Sequence, residues 1–250
     1  MKILNFWNVK GGVGKSSLCY LTGEILRDSG KKILFLDTDP QRSISKTVLE
    51  TLPEQGTLFD VLMRTRSLED CIIESKGFWI APGSLNLLRI QESVEQNRIL
   101  DEIKILKIKY DYILIDNQPT WNSIVRATIQ ASDRLIMPSM ISIFDLDEVS
   151  FSVQEARAVR ANLPISIILN GVGNADKTTN DESDYMESFL DSFRGDLAKS
   201  RIPRSILVKR IIDRGEALSG KGPSKEKFRT ALLSMVCEIT ESKLKLREVA

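Results

Sequence analysis

The sequence predicts a doubly wound α/β fold, a mostly parallel sheet flanked by helices. Three observations carry this. Short apolar runs alternate with longer helically periodic segments. Several runs are apolar on consecutive residues, as in strands buried on both faces of a parallel sheet. A glycine-rich turn separates the first strand from the first helix, where such folds bind phosphate.

In chain order, the first predicted strand is Ile3–Val9. A helix over Lys15–Ser29 leads to strands at Ile33–Asp37 and Phe78–Ala81. Helical spacing over Asn86–Lys107 precedes a strand at Tyr112–Asp116, and Asn122–Ala131 separates this from Arg134–Pro138. The helix Asp145–Ala161 and the strand Ile165–Asn170 follow, then a polar loop at Gly171–Asp184 and a helix at Asp181–Phe193. A weaker strand near Ile206–Val208 and a helix over Lys225–Lys245 complete the pattern. No repeat or linker interrupts it, and one domain is expected over residues 1–250.

Composition narrows the function classes. The 250 residues include no histidine, which excludes serine–histidine triads and histidine-ligated zinc. Cys19, Cys71 and Cys237 are widely spaced, which argues against a disulfide framework or zinc cluster and points to a reducing cytoplasm. No apolar stretch approaches the ~20 residues of a membrane helix, and Met1–Gly12 lacks the layout of a secretory signal. Charge is uneven: residues 194–250 hold 14 Lys/Arg against 7 Asp/Glu, whereas the whole chain is +1. That quarter could present an anion-binding surface, whereas composition alone favours solvated helix faces.

The chemistry concentrates at Val9-Lys10-Gly11-Gly12-Val13-Gly14-Lys15-Ser16-Ser17. Glycines let consecutive backbone N–H groups point at a phosphate, and the helix N-terminus adds partial positive charge. Lys15 is expected to reach the β- and γ-phosphates, and the Ser16 hydroxyl to ligate Mg²⁺. Two later strands end in aspartate, within Leu36-Asp37-Thr38-Asp39-Pro40-Gln41 and Tyr112-Ile113-Leu114-Ile115-Asp116. Carboxylates at the C-terminal ends of parallel strands border the ligand crevice, and Asp116 suits a Mg²⁺-holding role.

Lys10–Ser16 resembles the deviant Walker A motif of the ParA/MinD ATPases, and Asp37–Gln41 resembles the ParA form of its first switch. Gly56–Leu62 and Ile80–Ser84 look like further ParA segments, so the similarity spans nearly the whole chain. The resemblance implies an ATP- and Mg²⁺-binding enzyme with slow intrinsic turnover. It assigns Lys10 to phosphates bound by the other subunit of an ATP-sandwiched homodimer. It likewise implies that Asp39 positions the attacking water and that Asp37 and Asp116 flank Mg²⁺ with Ser16. Asn170 and the loop at Pro203 match adenine contacts, although a capping Asn and a turn Pro have the same appearance. After Asp116, Asn117-Gln118-Pro119-Thr120 departs from the paired prolines of many relatives.

Within the family, the first reading is a DNA-partition ATPase whose ATP-bound dimer binds DNA without sequence preference and associates with the nucleoid. Lys199, Arg201, Arg210, Arg214, Lys221, Lys225 and Lys227, with Arg204, Lys209 and Arg229, are the candidate phosphate contacts. The partner implied is a ParB-like centromere-binding protein or adaptor. The chain starts directly at the first strand, so the operator-binding helix-turn-helix of longer partition ATPases is not expected. A MinD-like membrane-cycling or cluster-positioning role is the alternative. The tail from Ser242 to Ala250 has cations but few apolar anchors, so no membrane contact is expected. An iron–sulfur reductase of the same superfamily would need paired cysteines.

Overall fold

Among the described residues, eight strands form one sheet in the order β3-β4-β2-β5-β1-β6-β7-β8. They are β1 (Lys2–Phe6), β2 (Ile33–Asp37), β3 (Ile73–Ser75), β4 (Phe78–Ala81), β5 (Tyr112–Asp116), β6 (Arg134–Ser139), β7 (Ile165–Val172) and β8 (Leu197–Pro203). All pairings are parallel except β3 with β4. The computed structural model describes residues 1–90, 97–106, 109–140, 145–172, 187, 189, 191–214, 218 and 222–244.

Alternation along the central strands sends side chains to two helix layers, which is why the strands are apolar on consecutive residues. Leu4 and Phe6 of β1, Ile33 and Phe35 of β2, and Leu114 of β5 pack on one face. That layer holds α1 (Lys15–Asp28), α2 (Ser43–Val48), α7 (Ile206–Arg214) and α8 (Pro223–Thr240). Ile3, Leu34, Leu36, Ile113 and Ile115 face the other way, toward α3 (Leu58–Leu62), α4 (Asn97–Ile105) and α5 (Ser123–Ala131). On the same face, α6 (Asp145–Val159) and α5 cover Leu135, Met137, Ile167 and Leu169.

The departures from the sequence reading are local. Ile206–Val208 is not a strand; it opens α7, which buries Leu207 and Ile211 four residues apart while Ile206 stays exposed. A three-residue apolar run cannot by itself distinguish the two periods. The last strand is instead Leu197–Pro203, whose single buried face, through Ala198 and Ile202, leaves little apolar signal. The span Asn86–Lys107 is not one helix. Leu85–Arg89 is a separate 3₁₀ turn ending at Ile90 (φ −124°), α4 starts at Asn97, and Lys107 lies outside the described residues. The final helix stops at Thr240, where Glu241 turns left-handed (φ 54°). The first strand ends at Phe6 rather than Val9. Gly171 and Val172 finish β7, and the rest of the loop to Asp184, with most of Asp181–Phe193, lies outside the described residues. Among the described residues, no helix is long and apolar enough to cross a membrane.

The approach of α1 to the sheet requires Gly23. A Cβ there would come closer than 3.0 Å to the ring of the fully buried Phe35, itself packed between Tyr20 and Phe78. In an open helix Gly→Ala gains about 1 kcal/mol. Here overpacking of about 1–3 kcal/mol opposes that gain and exceeds it. Gly23→Ala is expected to lower the urea midpoint, and Phe35→Leu in the same chain to restore part of it.

Candidate nucleotide site

The loop after β1 is anchored from both sides. The Asn8 amide Nδ2 donates to the Pro138 carbonyl at 2.8 Å, while its Oδ1 accepts the Lys10 N–H at 3.0 Å. On α6, the Ser152 hydroxyl accepts the Val9 N–H at 3.1 Å. Neither Asn8 nor Ser152 carried a motif signal; their role comes from the packing of β6 and α6 beside the loop.

Gly12 (φ 77°) and Gly14 (φ 93°) hold left-handed conformations that favour glycine. A side chain at Gly11 or Gly12 would meet nothing within 4 Å, so this rim of the loop is open to a ligand. Gly14 caps α1 without a side-chain hydrogen bond, and the first turn contains no acidic residue. The helix N-terminus is therefore left to an external anion. A Cβ on Gly14 would come closer than 3.0 Å to the Asn170 amide nitrogen, which donates to the Val13 carbonyl at 2.8 Å.

Lys15 is 6% exposed, and its Nζ donates to the Lys10 carbonyl at 2.7 Å. Burial lowers its pKa to about 8, with Asp116 and Asp39 opposing the fall. The ammonium thus persists at neutral pH in a partly desolvated site, where its attraction for phosphate is strengthened.

Strand register brings the carboxylates together: Asp37 at the end of β2 pairs with Asp116 at the end of β5, which also pairs with Phe6 of β1. Both aspartates are fully buried. Neither Asp116 oxygen accepts a hydrogen bond of normal geometry. Burial and Asp37 hold its pKa well above the usual carboxylate range, and the Ser16 hydroxyl and Lys15 oppose part of that rise. Asp37 is better supported. Its Oδ2 accepts from the Ser45 N–H (2.8 Å) and hydroxyl (2.6 Å), and its Oδ1 from the Asp39 N–H (3.2 Å). The Ser45 hydroxyl also accepts the Gly83 N–H at 3.0 Å, and a Cβ on Gly83 would lie 2.8 Å from the Asp37 carbonyl. Ser45 was not singled out in the sequence, and Gly83 only as part of a familiar segment. Both clamp the first switch.

Burial pushes Asp37 up to about 6 from an ordinary 3.8. Between those values the folded chain holds the proton more tightly than the unfolded chain, so stability falls as pH rises from about 4 to 6. Asp37→Asn is expected to remove that part of the slope in urea unfolding across this window. An unchanged slope would place the titration elsewhere.

Asp39, 7% exposed, follows in a turn where its Oδ1 accepts the Gln41 N–H at 2.8 Å. The site thus joins an open phosphate cradle, a buried ammonium and three carboxylates. Mg²⁺ is hard, takes oxygen ligands, and is held by one or two carboxylates with substrate phosphates rather than a protein cage. The unsupported oxygens of Asp116 beside Ser16 and Asp37 fit that demand. Among the described residues no group of three His, Cys, Asp or Glu forms a metal cage of its own.

The remaining candidates separate. Asn170 and Pro203 are brought to neighbouring strands, with Asn170 paired to Ile202 and Val172 to Pro203. Lys199 and Arg201 are exposed on β8, and Arg210 is exposed on α7. Lys227 is exposed and Lys225 partly so near the start of α8. The Arg214 side chain and all of Lys221 lie outside the described residues. Trp7 is core: it is fully buried, 5.1 Å from the Trp121 ring centroid.

Against known families, residues 1–168 match the model of an AAA domain family, AAA_31. The chain is a ParA/MinD-family P-loop ATPase. Its curated relatives include the sporulation initiation inhibitor protein Soj of Bacillus subtilis, 26% identical over 231 residues, 87% of this chain and 90% of Soj. Similar folds include an ATP complex of an Asp-to-Ala variant of McdA from Cyanothece. It has TM-score 0.84 and 20% identity and covers 99% of both chains. Another is the cell division ATPase MinD of Pyrococcus furiosus, with TM-score 0.73 and 22% identity, covering 96% of this chain and 98% of MinD. ATP-bound neighbours of this family support nucleotide binding, and members of the family dimerise and interact with partner proteins.

Proposed function

We propose that this ParA/MinD-type ATPase is a Mg²⁺-dependent DNA-partition switch acting as one domain. Its ATP-bound homodimer holds DNA without reading sequence, and partner-stimulated hydrolysis releases it. The observation that supports this most is the joining of the open phosphate loop, Lys15 and the Asp37–Asp116 pair at one crevice. Mg²⁺, when bound, would neutralise negative charge developing on the phosphates. Ser16 and Asp116 would hold it, with Asp37 beside them. Lys15 and the loop N–H groups bind and orient the phosphates, and Gly11, Val13 and Ser17 complete that wall. Asp39 orients the attacking water and takes up its proton. Lys10, on the same loop, reaches the nucleotide of the opposite subunit, which makes turnover depend on dimerisation. Asn170 and Pro203 border the base.

The exposed cations of β8, α7 and α8 supply the DNA surface in this reading, through Lys199, Arg201, Arg210, Lys225 and Lys227. Contacts to phosphate alone give affinity that falls steeply with salt. The test is binding to an arbitrary duplex with ATP, ADP or no nucleotide across a salt series. Tight, salt-sensitive binding seen only with ATP is expected, and a ParB-like adaptor is then the partner to seek. Absence of binding despite confirmed ATP uptake would overturn the DNA role and favour a MinD-like or cluster-positioning one, tested on anionic vesicles.

A further inference from the structure

Beneath the first switch and the segment after β5 lies a buried polar cluster that none of the nucleotide roles uses. Asn5 on β1, Thr38 between Asp37 and Asp39, Asn117 after β5 and Thr128 on α5 are each 0–2% exposed. The Asn117 Nδ2 donates to Asn5 Oδ1 at 2.7 Å. Its Oδ1 accepts from the Thr38 hydroxyl at 2.8 Å and from the Thr128 hydroxyl at 3.0 Å, the latter sharing its proton with the Val125 carbonyl at 2.9 Å. The Thr38 hydroxyl also faces the Asp116 carbonyl at 2.9 Å, which accepts the Thr38 N–H at 3.0 Å. Asn117 is pinned in turn by its own N–H, which donates to the Phe6 carbonyl at 3.2 Å.

We propose that Asn117 is a positioning residue that ties the first switch at Thr38 to the end of β5 and to α5, so setting where Asp39 stands relative to Asp116. This rests on the reading that those two aspartates serve hydrolysis. A buried side chain with partners on three elements is costly to leave half satisfied, and Asn117 uses both its amide groups on them, although the Asn5 Nδ2 is left without a partner among the described residues. An amide suits the place because one group donates to Asn5 and accepts from both threonines; an apolar residue could do neither. Its carbonyl and that of Asp116 share the single Thr38 hydroxyl proton, which places the turn between the metal-holding strand and α5. Movement of α5 would therefore reach Asp39 through one side chain.

The test compares Asn117→Ala, Thr128→Val and Thr128→Ser, using two readouts. In amide hydrogen exchange without nucleotide, Asn117→Ala is expected to speed exchange at Thr38 and Asp39 about tenfold or more, leaving β1 and β5 unchanged. In steady-state kinetics kcat is expected to fall about tenfold while KM for MgATP moves less than about threefold, since misplacement costs rate more than binding. Thr128→Val should follow in the same direction, and it carries the test if Asn117→Ala does not fold. Thr128→Ser, which keeps the hydroxyl, should match the parent. A uniform rise in exchange across the sheet, or loss of stability with kcat unchanged, would reduce Asn117 to a structural residue and overturn the proposal. A parent chain that hydrolyses no ATP would overturn the ATPase reading instead, and the exchange data alone would then decide the tether.

Discussion

An Asp39→Ala variant is expected to bind MgATP and dimerise, yet to turn over at least about a hundredfold more slowly than the parent, the usual contribution of a well-placed proton acceptor. Geometry separates its role from those of its neighbours. Asp37 is clamped on both oxygens by Ser45 and the Asp39 N–H, and Asp116 is fully buried. Asp39 is slightly exposed, in a turn, with one oxygen accepting the Gln41 N–H. Removing it leaves the phosphate loop, Lys15 and the metal-side carboxylates intact, so binding persists when the chemistry stops. Size-exclusion chromatography with ATP should show dimers accumulating, alongside a phosphate-release assay. Turnover at the parent rate would sink the assignment of Asp39.

Lys15→Ala is the opposite case, in which nucleotide binding itself fails. The ammonium faces Asp116 and Asp39 in a partly desolvated site, and both favour its charged form. Without it, three carboxylates and a triphosphate would share one crevice, with the loop N–H groups as the remaining attraction. Loss of a charge-assisted contact and exposure to like charge together exceed about 3 kcal/mol, a weakening of more than a hundredfold. Titration with a fluorescent ATP analogue checks it, with circular dichroism confirming the fold. Retention of parent-like affinity would mean that Lys15 stays on the Lys10 carbonyl and does not engage phosphate.

Much of this site was readable in advance, for specific reasons. Gly12, Gly14, Lys15 and Ser16 are adjacent in sequence, and their chemistry depends on backbone conformation that residue type dictates. Asp37 and Asp116 could be read because each ends an apolar run buried on both faces, the strongest strand signal here. The contacts that complete the site are made across the chain and carry no local signal. Ser45 reaches Asp37 from α2, and Gly83 reaches the Ser45 hydroxyl from the loop after β4. Asn117 meets Asn5 from 112 positions away. Nothing in the spacing of Ser45 or Asn5 marks them, and Gly83 and Asn117 stand out only as members of segments compared with relatives, with no sign of the contacts they make.

The same division holds for the fold. Hydrophobic period and glycine placement by themselves determined a parallel sheet wound on both faces, with a phosphate loop after its first strand. That is because burial on two faces leaves a continuous apolar run. Tertiary structure alone decided the edges: β8 buries one face only, and α7 takes a run too short to show its period. It also decided strand order, which places β5 between β1 and β2 and so sets Asp116 beside both Asp37 and the loop. Local preference acts over a few residues, whereas strand neighbours are chosen by packing between segments far apart in the chain.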